Sequence, residues 1–158
     1  MDQKLSELTE KEVDWVAAQN EAASAFVAEF SPIDAGNSPT LVALDRAFAA
    51  WLGKNERDSK KINDTINCVG VAFGQSLVDG LGLAWAIATD QHGSDLAVYG
   101  LPAKGDVLIY PANFVAKRWE RRETNFLEKS YAQIARDLQS INQANTTRTK
   151  SRPWWKIW

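Results

Sequence analysis

The 158-residue chain has very few of the side chains from which metal sites and nucleophilic sites are most often built. It contains one cysteine, Cys68, and one histidine, His92. A single cysteine cannot form a disulfide within the chain, which favours a reduced, cytoplasmic protein. Conventional zinc sites take three or four protein ligands, mostly Cys and His. We therefore expect no bound metal and no cofactor.

Long apolar segments and common catalytic motifs are missing as well. No stretch reaches the roughly 20 apolar residues that a membrane-spanning helix needs. The polar, acidic start MDQKLSELTEKEVDW lacks the apolar core of a secretory signal. The chain has no GxSxG, HExxH or CxxC motif and no glycine-rich phosphate loop. These absences disfavour a membrane-spanning protein and the enzyme classes that those motifs mark.

Acidic side chains are missing from the end of the chain. No Asp or Glu follows Asp137, whereas Arg148, Lys150, Arg152 and Lys156 are basic. The net charge of −2 therefore divides into +4 in this tail and −6 in the rest of the chain. Nucleic-acid-binding domains usually carry their basic excess on the folded surface. We do not expect this acidic body to bind nucleic acid in general.

The order of the periodic segments predicts an α+β fold, with N-terminal helices, a small antiparallel three-stranded meander and C-terminal helices. Three segments are expected: an N-terminal helix and loop (1–37), an α+β core domain (38–142) and a flexible basic, Trp-rich tail (143–158). The tail is polar and non-periodic up to its tryptophans, as is typical of a linker.

Local signals predict where the helices begin. Thr9 and Glu12 have capping-box spacing and predict a first helix. Ser38 and Pro39 predict the N-cap and first residue of a second helix. A third helix is expected over about 62–78, after a solvated loop or frayed helix end at 53–61, and Thr124 is expected to cap the last helix.

Small residues in the third helix and the first strand predict close packing. Gly70 and Gly74 lie one helical turn apart, and each costs about 1 kcal/mol of helix propensity relative to alanine. Close approach of another backbone would offset that cost. In LAWAIATD, alanines alternate with Leu83, Trp85 and Ile87, which predicts a strand with an alanine face. We expect the glycine-bearing helix to pack on that face.

Residues from Leu41 to about Ile134 resemble an uncharacterised bacterial family described as a domain of unknown function. The matching segments are LVALDRAFAAWL, INCVGVAFGQSLVDGLGLAW, TDQHGSDLAV and YPANFVAKRWE. They combine an N-x-x-G-x-x-x-G helix, a W-x-x-x-T-D-x-x-G hairpin and a Y-P-x-x-x-V-x-K-R turn. The resemblance implies a compact α+β domain and no particular activity. It directs attention to Asp90, Gly93, Pro111, Lys117 and Arg118.

The candidate catalytic residues lie in the hairpin loop TDQHGSD. Asp90, His92 and Asp95 would suit a cation site or general acid–base catalysis. The alternative is that Asp and Gly are simply the residues that a hairpin turn requires, with His92 at an exposed tip. A nucleophilic pair of Cys68 and His92 is also conceivable, but Cys68 lies in a core-like helix and is expected to be inert.

Lys117, Arg118 and Trp119 are candidate binding residues. Arginine beside an aromatic ring can recognise phosphate or carboxylate groups. The alternative is a solvated helix face with salt bridges to Glu120 and Glu123.

The chain ends in RPWWKIW, so Trp154, Trp155 and Trp158 are candidate binding residues too. These indoles would either fill a groove on their own domain, dock on a partner protein or second copy, or touch a membrane surface. The leading hypothesis is a non-enzymatic domain that binds protein or its own copy. The alternatives are a small hydrolase or metal-dependent enzyme centred on residues 90–95, and a membrane-surface adaptor with weak lipid contact.

Overall fold

A computed structural model describes residues 3–100 and 107–146, which form a four-stranded sheet with helices packed on it. The strands are β1 (Lys4–Ser6), β2 (Ala84–Asp90), β3 (Gly93–Gly100) and β4 (Val107–Ile109). The helices are α1 (Glu10–Phe30), α2 (Leu41–Leu52), α3 (Ser59–Leu81), α4 (Pro111–Glu120) and α5 (Leu127–Thr146), with a 3-10 turn at Pro32–Asp34. The predicted α+β class is confirmed.

The sheet has the strand order β1-β2-β3-β4, and all neighbouring strands are antiparallel. The predicted meander is present as β2, β3 and β4. The predicted number of three strands is wrong, because β1 is a fourth strand. It pairs with β2, with Lys4, Leu5 and Ser6 opposite Thr89, Ala88 and Ile87. All three residues of β1 are exposed, and three residues are too few to show an alternating pattern.

The predicted start of α1 is confirmed, whereas α2 begins later than expected. The Thr9 hydroxyl accepts from Glu12 N at 3.3 Å, and the Glu12 carboxylate accepts from Thr9 N at 2.8 Å. The N-cap of α2 is Thr40, whose hydroxyl accepts from Ala43 N at 3.1 Å. Ser38 and Pro39 therefore precede the helix, since Thr40 offers the same kind of acceptor two residues later.

The third helix begins earlier than predicted. Asp58 caps it by accepting from Lys60 N at 2.9 Å and from Lys61 N at 3.3 Å. The residues of its first turn are polar and solvent-exposed, so the apolar periodicity starts only at Ile62. At its other end, Gly82 adopts a left-handed conformation with φ of 69°, which glycine allows at little cost.

The N-terminus of α5 is capped by a side chain from α2, so the prediction of a Thr124 cap is wrong. The helix begins at Leu127, and the Asp45 carboxylate accepts from Leu127 N at 2.9 Å and from Glu128 N at 3.1 Å. Asp45 is only 7% exposed. Its negative charge also suits the positive end of the helix dipole. No local pattern near residue 124 announces a cap supplied from so far away in the sequence.

Aromatic side chains connect the helices through the core. Phe73 of α3 stacks on Phe114 of α4, with ring centroids 4.9 Å apart. Phe126, just before α5, contacts both Phe114 and Phe48 of α2. Val98, Val107 and Ile109 join the same cluster. The main core therefore lies between the helices and one face of the sheet.

The predicted close approach of another backbone is confirmed at Gly70, whereas side chains make the close approach at Gly74. A Cβ atom on Gly70 would lie 2.8 Å from the Cα of Ala112 and 3.1 Å from the carbonyl carbon of Pro111. A Cβ atom on Gly74 would overlap the indole of Trp85 and lie 2.9 Å from Cγ of Pro111. The absence of a side chain at Gly70 therefore lets the first turn of α4 pack against α3, and at Gly74 it makes room for the Trp85 ring.

The alanine face of β2 does not pack on α3, contrary to the prediction. Because Trp85 contacts α3, the alternating Ala86 and Ala88 point to the other side of the sheet. There Ala88 clusters with Ala97 and Leu108, and the rings of Tyr99 and Tyr110 pack against that cluster. The small side chains leave room for tyrosine rings.

Candidate functional site

The acidic residues of the hairpin loop are engaged in the turn itself. The Asp90 carboxylate accepts from His92 N at 2.7 Å, and the Asp95 carboxylate accepts from Leu96 N at 3.0 Å. Gly93 has a φ of 128°, which side-chain-bearing residues rarely adopt. These bonds are those expected of Asp and Gly in a tight turn.

The His92 imidazole is exposed at the tip of this hairpin, and its Nε2 lies 3.2 Å from the amide nitrogen of Gln91. Asp90 therefore accepts a hydrogen bond from the backbone N–H of His92 and not from its imidazole ring. Within residues 3–100 and 107–146, no three His, Cys, Asp or Glu side chains lie together as a metal-binding group.

Tyr110 is a polar residue that sequence analysis placed only within a motif. Its hydroxyl is hydrogen-bonded to the Gln3 amide. Burial raises the pKa of Tyr110, the Gln3 bond lowers it, and the nearby carboxylates of Asp90 and Asp95 raise it further. Tyr110 therefore lies near the acidic hairpin on the alanine face of the sheet.

Arg118 is packed against the core, whereas its neighbour Lys117 is exposed. The Arg118 guanidinium carbon lies 3.7 Å from the Phe114 ring centroid, and its Nε lies 3.5 Å from a Glu123 oxygen. Burial lowers the pKa of Arg118, and Glu123 partly opposes this. Trp119 is half-buried and packs against the main core. The basic segment therefore contributes to packing, with Lys117 directed to solvent.

Cys68 lies inside α3 and is 4% exposed. Its thiol donates to the Thr65 carbonyl at 3.4 Å. Burial raises the pKa of this thiol to about 12. His92 is exposed, so the two members of the conceivable nucleophilic pair lie in opposite environments.

We expect iodoacetamide to leave Cys68 unmodified in the folded protein at pH 8 and to modify it fully after unfolding. The thiolate is the reactive form, and a pKa of about 12 keeps almost all of the thiol protonated at that pH. Mass spectrometry counts the added groups. Equal labelling rates for the folded and unfolded chains would contradict the buried position.

A polar cleft of about 520 Å³ lies between α1, α3 and the 36–39 loop. Gln75 organises it by accepting from Asn20 Nδ2 at 3.2 Å and from Trp85 Nε1 at 3.1 Å, and by donating to Asp79 at 3.0 Å. Glu21 and Asp79 add negative charge to the lining. The cleft offers polar contacts and links α1 to α3 and β2.

An apolar groove of about 390 Å³ lies between the first turns of α1 and the outer part of the β2–β3 hairpin. We call it the Trp15 groove. Its apolar lining is Trp15, Ile87 and Leu96, and its polar rim includes Lys11, Glu12 and Asp95. The Trp15 side chain is 41% exposed, and the two aliphatic residues are half-buried. Exposed apolar surface of this kind is typical of docking sites.

Sequence analysis missed the Trp15 groove because its two walls lie far apart in the chain. The only local signal was the position of Trp15, a large apolar residue next to Asp14 and outside the set of buried residues of α1 that includes Val16. The candidate residues Trp154, Trp155 and Trp158 lie outside the described residues. In the described part of the chain, no helix has the length and apolar character needed to cross a membrane.

One or two residues from each of the three quoted motifs meet at one packing junction. Gly70 and Gly74 of the helix motif receive Pro111 of the turn motif, and Gly74 also receives Trp85 of the hairpin motif. The family model of DUF3806, a domain of unknown function, matches residues 41–131. This range begins with α2, so β1 and α1 lie outside it. No curated protein and no solved structure matches the chain. The model covers more than half of the sequence and includes the junction, and the chain belongs to the DUF3806 family.

Proposed function

We propose that this protein is a non-enzymatic domain that acts by binding protein, either a partner or a second copy of itself. The C-terminal segment, residues 147–158, is its docking motif. The observation that carries the proposal is an exposed indole in the Trp15 groove, while Asp90, Asp95 and Cys68 are engaged in the fold. Tryptophan and arginine contribute strongly to protein interfaces, and both occur in the C-terminal segment.

The positions of the candidate reactive residues support the binding role. Asp90 and Asp95 accept backbone hydrogen bonds in the hairpin. Arg118 packs on Phe114, and the Cys68 thiol is buried with its pKa raised to about 12. An enzyme centred on residues 90–95 would need these groups to converge on a substrate, whereas here each has a role in folding.

The proposal places the protein in the cytoplasm, because a single unpaired thiol suits a reducing compartment. A membrane surface is the competing target for a segment with three indoles and four cations. Vesicle flotation at low and high salt distinguishes the two. Flotation of the full chain with anionic vesicles, lost at high salt, would favour the membrane over a protein partner.

We expect a chain truncated after Ser151 to lose the association that the full chain shows. The deletion removes all three terminal indoles and leaves the described domain intact. Pulldown reports the captured proteins, and sedimentation equilibrium reports the mass of the purified chain. If both forms capture the same proteins and have the same mass, the C-terminal segment has no part in binding.

A further inference from the structure

We infer that the Trp15 groove is the resting site of the C-terminal segment, residues 147–158, of the same chain. The inference rests on the proposed function, in which that segment is a docking motif. In the free protein the segment occupies the groove.

The apolar surfaces of the two parts match in kind. The groove presents a 41%-exposed indole between two half-buried aliphatic side chains. The C-terminal segment supplies three further indoles and Ile157. Large aromatic side chains gain most from entering such a groove, because they remove the most apolar area from water.

Charge favours the same pairing. The charged residues that line the groove are Lys11, Glu12 and Asp95. They belong to two stretches, residues 3–15 and 84–96, which include the start of α1, most of the hairpin and β1, the strand that pairs with β2. These stretches contain six acidic and two basic side chains, a net charge of −4. The C-terminal segment carries four basic side chains and no acidic one, a net charge of +4. Opposite charges of this size attract across the rim of the groove and orient the segment.

The tether favours the segment of the same chain over that of a second copy. Twelve residues follow Thr146, and they reach about 40 Å when extended. A domain of this size has a radius of gyration of about 15 Å, so the segment can reach across it. A short tether also gives an effective concentration in the millimolar range. That exceeds the concentration of any second copy in a dilute solution.

Disulfide trapping tests the inference in the full chain. Ser94 lines the groove and is exposed, and Ser151 lies within the C-terminal segment. A Ser94→Cys, Ser151→Cys variant should form an intramolecular disulfide under mild oxidation at least 10-fold faster than a Ser59→Cys, Ser151→Cys control. Ser59 is exposed at the far end of α3 from the hairpin. The native Cys68 is buried and does not interfere.

Two side-chain variants identify the contact. Trp15→Ala should reduce the trapping rate to that of the control, whereas Val13→Ala should leave it unchanged. Val13 is the matched residue, since it is 53% exposed on the same helix but does not line the groove. Salt of about 1 M should also slow trapping, because it screens the surface charges. Circular dichroism confirms that each variant is folded.

Each contrary result overturns the inference. Equal trapping at Ser94 and Ser59 would show that the segment has no preferred site. A covalent dimer would show that the occupant belongs to a second copy. If the Trp15→Ala variant forms the disulfide as fast as the parent, the groove is not the binding site of the segment. None of these results would disprove the proposed function, which truncation after Ser151 tests separately.

Discussion

Replacing Asp45 with alanine is expected to lower the free energy of unfolding by about 3 kcal/mol. The Asp45 carboxylate accepts from two backbone N–H groups at the start of α5, and Leu127, the first of them, is fully buried. Alanine would leave the Leu127 N–H without a partner at a buried site, and the partly buried Glu128 N–H would lose its acceptor as well. It would also remove the negative charge at the positive end of the helix dipole. Urea denaturation followed by circular dichroism measures the loss.

Two further variants make this prediction specific. Asp45→Asn keeps one oxygen acceptor and should lose about half as much stability, because its amide nitrogen then faces one backbone donor. Asp64→Ala is the matched control, since Asp64 is an exposed carboxylate that pairs with Lys60 on the surface of α3. Its loss should stay within about 0.5 kcal/mol. If Asp45→Ala and Asp64→Ala unfold at the same urea concentration, the long-range cap has no energetic importance.

The second large effect is expected at Gly70. Gly70→Ala should lower the free energy of unfolding by about 2 kcal/mol, even though alanine favours helix by about 1 kcal/mol. The added Cβ would lie 2.8 Å from the Cα of Ala112. Because that neighbour is backbone, relief requires a shift of the whole first turn of α4. Thermal and urea unfolding give the size of the change.

The control for this second effect is Gly36→Ala. No atom lies within 4 Å of a Cβ at that position, so the loop residue should tolerate alanine with a change below about 0.5 kcal/mol. A Gly70→Ala variant as stable as the parent would show that α3 and α4 are not held in close contact there. The packing of the family motifs at one junction would then need another explanation.

Local signals in the sequence predicted the parts of the fold that depend on neighbouring residues. The Thr9 capping box, the antiparallel β2–β3 hairpin and the close approach at Gly70 each follow from a short stretch of chain. The features that were missed depend on distant partners. Asp45 caps a helix that begins at Leu127, and β1 is recognisable as a strand only through its pairing with β2.

The candidate sites follow the same rule. Asp90 and Asp95 were identified from their spacing in the sequence. Whether they bind a ligand or stabilise the turn depends on backbone geometry, and in the fold the Asp90 carboxylate accepts from His92 N. The Trp15 groove combines α1 with two strands more than 70 residues away. Only the folded chain shows that Trp15 has Ile87 and Leu96 as neighbours.

The central claim is that this protein binds a partner protein or a second copy of itself through its terminal indoles. The most direct measurement compares the full chain with a W154A/W155A/W158A variant in parallel pulldown and sedimentation experiments. This variant keeps the length and the four basic side chains of the C-terminal segment. The account predicts that it loses the captured proteins or the added mass as completely as the truncated chain does. Unchanged partners and an unchanged mass in the triple variant would contradict the account.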